Sequence, residues 1–183
     1  MSLGDSKTAA KPWVASLASG VAAVTTLPWK NYDGGVGGST VASTYNTIDA
    51  ILATLPADAT TGDYQDVLCN WGANDMGDPA VMANEAAWEA YYLAVIDKIH
   101  AKAPRAKVYL MRPWRRNYNS EAATLHGWID TIVAARAFTY VGPDEAVWLK
   151  GADDGAAMTV DGVHYSTLGN TTCAAQWQSV LGY

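Results

Sequence analysis

The chain has no stripe of positive charge. Its 12 Lys and Arg are outnumbered by 18 Asp and Glu, for a net charge of -6. The densest basic stretch, Arg112 to Arg116, holds three arginines around Pro113 and Trp114. That is too little to displace counterions from a phosphate backbone, which argues against nucleic acid as a partner. No apolar run reaches the roughly 18 residues that a membrane span needs. No leader peptide is expected, because the chain begins Met-Ser-Leu and meets Asp5 and Ser6 at once. Cysteine is scarce: Cys69 lies in an apolar run and Cys173 in a predicted helix, so both read as small buried hydrophobes rather than a disulfide. Repeats, low-complexity tracts and linkers are also missing.

What is present is an ordinary globular balance. Half of the 183 residues are hydrophobic and 16% are charged, so the chain is not of the disordered kind. Its length suits a single domain, 1–183, able to bury roughly 70% of its unfolded surface. Gly-rich and apolar segments alternate from end to end. Residues 1–4 read as the tail of a first strand, and Ser6 to Val21 as a helix with Trp13, Leu17 and Val21 on one face. Residues 22–27 form a short β-prone run, and 31–39 a loop with four glycines. Further helices are predicted over 40–55, 85–103, 120–137 and 167–181, and further strands over 66–71, 107–111 and 138–141. Five short strands separated by helices, with no hairpin, imply a parallel α/β sheet covered on both faces. Ligands of such sheets bind beyond the carboxyl ends of the strands.

Four motifs fall at those ends. Gly4-Asp5-Ser6 follows the first strand and opens a helix, where a serine presents Oγ and its own N–H to a ligand. The same residues also suit a plain helix cap. Gly34-Gly35-Val36-Gly37-Gly38-Ser39-Thr40 follows the second strand. It lacks the Gly-Lys-Ser/Thr of a phosphate loop and the spacing of a dinucleotide fingerprint. Gly72-Ala73-Asn74-Asp75 follows the third strand, and its Asn amide can donate to an oxyanion. Asp161-Gly162-Val163-His164 precedes the last helix, with a carboxylate placed to orient the imidazole. His100, near a helix end, and His126, in mid-helix without a nearby acidic partner, read as structural. Taken together, the four motifs meet the requirements of acyl transfer.

In these motifs the chain resembles the SGNH hydrolases, the GDSL-like lipases and esterases named for Ser, Gly, Asn and His in four separated blocks. The resemblance implies a three-layer α/β/α sandwich, with a five-stranded parallel sheet in flavodoxin-like 2-1-3-4-5 order. It implies Ser6 as nucleophile, His164 as base and Asp161 as the third triad member. Ser6, Gly38 and Asn74 would form the oxyanion hole, with Gly35 and Gly37 able to slide into the place of Gly38. Neither metal nor cofactor is needed. One departure stands out: family members usually carry four or five strand residues before GDS, and only Met1, Ser2 and Leu3 precede it here. Either the sequence starts within a longer protein or the strand is short.

The expected activity is that of a serine esterase acting through an acyl-enzyme on short-chain acyl esters, O-acetyl groups for example. The expected partner is a small-molecule or carbohydrate ester; nothing in the motifs bears on oligomeric state or compartment. Eight tryptophans are many for this length. Trp71, Asp75, Arg112 and Trp114 sit in or beside the same strand-end turns and are the candidate substrate contacts, with Arg115 and Arg116 in the same loop. The rival readings are a catalytically silent binding module, an acyltransferase on the same triad, and a flavodoxin-like nucleotide binder.

Overall fold

Leu68 and Cys69, and Val108 to Met111, are runs of apolar side chains buried on both sides of their strands, as a parallel sheet between two helical layers requires. The computed structural model describes residues 1–9, 12–24, 33–54, 66–150 and 157–183. Its strands are β1 (Ser2–Gly4), β2 (Asp33–Gly35), β3 (Asp66–Asn70), β4 (Lys107–Arg112) and β5 (Thr139–Asp144). They form one parallel sheet in the order β2-β1-β3-β4-β5. The helices are α1 (Ser6–Ala9), α2 (Pro12–Val24), α3 (Val41–Ala53), α4 (Pro79–Met82), α5 (Glu85–Lys102), α6 (Asn119–Ala134), α7 (Glu145–Leu149) and α8 (Thr167–Leu181).

The strand order determines the layers. The chain steps one way from β1 to β2, and the other way in every later crossover. Right-handed connections therefore place α2 on one face and α3, α5 and α6 on the other. The helix α8 returns to pack along α2, with Trp13 stacked on Trp177 at 6.1 Å between ring centroids. On the opposite face α5 packs against α3 and α6, and Trp88 lies 5.5 Å from Trp128. One continuous apolar cluster runs through both layers. No helix among the described residues is long and apolar enough to cross a membrane.

The second strand departs from the sequence reading. Residues 22–24 extend α2, and 25–27 lie outside the described residues. The strand is Asp33–Gly35, inside the expected glycine loop. Packing explains this use of glycine. A Cβ on Gly34 would lie 2.5 Å from Leu3 Cδ2, and one on Gly35 would lie 2.4 Å from the Ala9 backbone nitrogen. An edge strand this close to β1 and α1 has no room for side chains.

The expected helix from Ser6 to Val21 is two helices. Pro12 opens the second, a position where its missing N–H leaves no helical hydrogen bond unmade. Three elements were not expected: α4, α7 and a 3-10 turn over Asp75–Gly77. The strand β5 also runs on to Asp144. The first strand is short yet central. Its Leu3 pairs with Gly34 on one side and Cys69 on the other, and the Met1 carbonyl extends the ladder by accepting from Leu68 N–H at 2.8 Å. Both cysteines are free and buried.

Candidate active site

The four sequence motifs converge on the carboxyl edge of the sheet, where β1 separates the two directions of winding. At the end of β1, Asp5 takes the capping role that the sequence left open. Its Oδ1 accepts from Lys7 N–H at 2.9 Å, and its carbonyl accepts from the N–H groups of Thr8 and Ala9. Burial pushes the Asp5 carboxyl up to about 7, against the pull of the Lys7 charge and N–H. With capping assigned to Asp5, the Ser6 hydroxyl is left for another partner. That partner is His164, whose Nε2 lies 2.9 Å from Ser6 Oγ across 158 residues of sequence.

The His164 ring is held from its other side by Asp161, with Nδ1 2.6 Å from Oδ2. The other Asp161 oxygen accepts from the backbone N–H groups of Val163 and His164, at 2.9 and 2.8 Å. Desolvation works to raise the Asp161 carboxyl, but these hydrogen bonds from His164 and Val163 outweigh it and hold the group down at about 2. A carboxylate facing Nδ1 favours the tautomer that carries the ring proton there. Nε2 is then free to accept from Ser6. A hydroxyl so partnered is equipped to lose its proton as it attacks a carbonyl. Gly162, at φ +88°, makes the turn between acid and imidazole, and its carbonyl accepts from Arg116 N–H at 3.0 Å.

Two further turns lie at the same edge of the sheet, after β2 and after β3. Gly38 adopts φ +75° in an exposed turn, which closes with Ser39 N–H donating to the Val36 carbonyl. The half-buried Asn74 donates from Nδ2 to the Ser39 carbonyl at 2.9 Å, tying the turn after β3 to the turn after β2. An amide nitrogen carries a second proton, which this bond does not use.

The candidate substrate contacts need correction. Trp71 and Trp114 are 1% and 0% exposed, so neither ring face is open to a sugar. Trp71 packs edge-on to Tyr92, and the Trp114 indole N–H donates to Asn119 Oδ1 at 2.8 Å. Asp75, next to Asn74, points the other way and is buried. Its Oδ1 accepts from the Trp88 indole at 2.9 Å and from Val41 N–H at 3.1 Å, so it fastens α3 and α5 to the turn. Arg112 is paired with Asp130, and more loosely with Asp144 at 3.8 Å. Of the other loop arginines, Arg115 lies over the Tyr118 ring and reaches the Ala73 carbonyl at 3.5 Å. His126 does have an acidic neighbour: Asp144 lies 3.7 Å from its Nδ1, supplied by β5 rather than by its own helix.

Sequence reasoning missed a buried polar cluster behind Ser6 and His164. Lys7 and Glu145, both wholly buried, pair at 2.5 Å. Glu145 also accepts from Trp114 N–H and from the Tyr165 hydroxyl. The available signal was slight: a lysine directly after Ser6, and a glutamate directly after Asp144, where β5 gives way to α7. Among the described residues, no group of three or more His, Cys, Asp or Glu side chains is placed to hold a metal ion.

Solved structures share this architecture. The chain is similar to the psychrotrophic esterase EstA of Pseudoalteromonas sp. (19% identity, 99% of this chain and 94% of that one, TM-score 0.74). It is similar to TesA (21%, 98% and 96%, TM-score 0.77). It is also similar to a family 3 carbohydrate esterase of Clostridium thermocellum (18%, 98% and 92%, TM-score 0.69). At such identities the likeness establishes the fold. No curated protein sequence matches the chain. The GDSL-like Lipase/Acylhydrolase family matches residues 2–171. With that match covering nearly the whole sequence, on a five-stranded parallel sheet of 2-1-3-4-5 order, the chain belongs to the GDSL-like lipase/acylhydrolase family, whose general chemistry is the hydrolysis of esters.

Proposed function

We propose that the protein is a serine esterase that hydrolyses carboxylic esters of short acyl groups, O-acetyl esters among them, through an acyl-enzyme on Ser6. The observation that carries this reading is the unbroken chain from Ser6 Oγ through His164 to Asp161, at 2.9 and 2.6 Å. His164 takes the Ser6 proton as Oγ attacks the ester carbonyl, and Asp161 stabilises the imidazolium that forms. The developing oxyanion sits among the N–H groups of Ser6 and Gly38 and the second amide proton of Asn74. His164 then returns its proton to the leaving alcohol, and activates the water that releases the acyl group.

The openness of the site supports a small acyl group on a variable alcohol. The His164 and Asp161 side chains are 45% and 51% exposed, and nothing lies within 4 Å of a Cβ placed on Gly37 or Gly38. An alcohol that stays in solvent, such as a sugar ring, fits such a rim without aromatic stacking on Trp71 or Trp114. Ser6→Ala is expected to abolish p-nitrophenyl acetate turnover while the circular dichroism spectrum is unchanged. Full turnover by that variant would overturn the assignment. A panel varying acyl length and alcohol should show the rate falling as the acyl chain lengthens.

A further inference from the structure

Lys7 and Tyr165 each follow a member of the proposed triad directly in sequence, Ser6 and His164. Their side chains meet on one buried carboxylate. Glu145 Oε2 accepts from Lys7 Nζ at 2.5 Å and from Trp114 N–H at 2.6 Å. Its Oε1 accepts from the Tyr165 hydroxyl. Lys7 Nζ also donates to the Trp114 carbonyl at 2.8 Å and lies 5.3 Å from the Tyr165 ring centroid. All four residues are buried. Burial, and the negative charge of Glu145 among its neighbours, push the Tyr165 hydroxyl well above its ordinary range, so it stays a donor. Asn70, at the end of β3, reaches the same hydroxyl at 3.5 Å.

A buried ion pair is a poor source of net stability, because desolvation consumes most of the attraction. What this one supplies is geometry. The rim side of the segment carrying His164 is held by backbone contacts, among them Arg116 N–H to the Gly162 carbonyl at 3.0 Å. Its backbone bridge to Thr159 is one pair long, closed by Val160 N–H to the His164 carbonyl and Ser166 N–H to the Met158 carbonyl. The inward anchor is the Tyr165 ring, ending on Glu145. On the other side, Lys7 is anchored by the same carboxylate, and its carbonyl accepts from the Trp13 indole at 2.9 Å. One carboxylate at the start of α7 thus joins two turns that lie 158 residues apart and must meet within hydrogen-bond distance.

We propose that Glu145 is a positioning residue that sets the Ser6–His164 separation by holding Lys7 and Tyr165 together. The inference rests on reading Ser6 and His164 as nucleophile and base. It predicts a loss confined to the chemical step, since no member of the cluster is exposed to substrate.

The test compares wild type, Tyr165→Phe, Glu145→Gln and Glu145→Ala in p-nitrophenyl acetate hydrolysis, with rates expressed per site titrated by a fluorophosphonate. Nitrogen-15 spectra of histidine-labelled protein report the His164 tautomer in each. Tyr165→Phe and Glu145→Ala are expected to lower kcat by up to about 10²-fold, with KM within about twofold of wild type. Both should erode the single Nδ1–H tautomer. Glu145→Gln keeps the shape but only one of the two accepting oxygens, so its rate and tautomer should fall between those of wild type and Glu145→Ala. If Tyr165→Phe lowers the melting temperature but leaves kcat per site and the tautomer unchanged, the cluster is merely structural and the inference fails. That variant removes one hydroxyl, so it decides the matter even if Glu145→Ala does not fold. A wild type that neither hydrolyses the ester nor labels at Ser6 would overturn the esterase reading; the tautomer comparison would still show whether Glu145 holds His164.

Discussion

Asn74 is tied to the Ser39 carbonyl by one amide proton, and the proposed oxyanion role falls to the other. A prearranged donor of this kind acts on charge that develops only in the transition state, so its loss should fall on kcat rather than on KM. Asn74→Ala is expected to lower kcat by about 10²–10³-fold in steady-state hydrolysis of p-nitrophenyl acetate. An unchanged kcat would remove Asn74 from the oxyanion site. The contrast with its neighbour is instructive. Asn74 and Asp75 are adjacent polar residues in one turn, equally eligible by type. Only the fold separates them, by turning Asp75 inward onto Trp88 and Val41 N–H. Trp71 and Trp114 teach the same lesson. Both stand next to strand-end turns, yet both rings face the core. Nearness to the site in sequence says nothing of which way a side chain points.

At the scale of elements, β2 and α1 explain each other. The pair Gly34-Gly35 lets the edge strand lie against β1 while α1 passes over it, and α1 begins with Ser6. A methyl on Gly35 would meet the backbone of Thr8 and Ala9 at 2.4–2.8 Å, with no flexible side chain to yield. Gly35→Ala should therefore cost about 1–3 kcal/mol of stability by overpacking, and lower esterase activity by shifting α1. Gly37→Ala is the matched control. Nothing lies within 4 Å of its added methyl, so its stability should stay within about 0.5 kcal/mol of wild type. Urea denaturation of both variants checks the pair, and equal stabilities would refute the packing account of β2. The glycine run thus serves two purposes along its length: its first half is forced by packing, and its second half, Gly37 and Gly38, lies open at the rim.

At the scale of the molecule, Asp5 couples stability to pH. Burial raises its carboxyl to about 7 from an ordinary 3.8. The folded state therefore holds a proton that the unfolded chain releases between those values. The contribution of this group is fully present below about pH 4 and is lost as pH rises through 7, by about 4 kcal/mol. Asp5→Asn keeps an acceptor for Lys7 N–H and cannot ionise. The fall in melting temperature between pH 5 and 8 should be clearly shallower in this variant than in wild type. Identical slopes would show that Asp5 is not the group responsible.

The amino-acid sequence by itself determined the parallel α/β architecture and the four turns at its carboxyl edge. Those depend on local rules: apolar runs of strand length, apolar positions at helical spacing, and turn residues just after them. It also marked Asp161 and His164 as partners, since three residues suffice to bring carboxylate and ring together. Only the tertiary structure decided the rest, because each remaining feature depends on segments remote in the chain. The place of β2 required α1 to pass over Gly35. The freedom of the Ser6 hydroxyl required Asp5 to cap α1 and His164 to arrive from 158 residues away. The burial of Trp71, Trp114 and Asp75 required the layers to close. The meeting of Lys7, Trp114 and Tyr165 on Glu145 required β1, β3, β4 and β5 to be side by side, and no periodicity in the sequence encodes it, because a buried ion pair is specified by three-dimensional proximity alone.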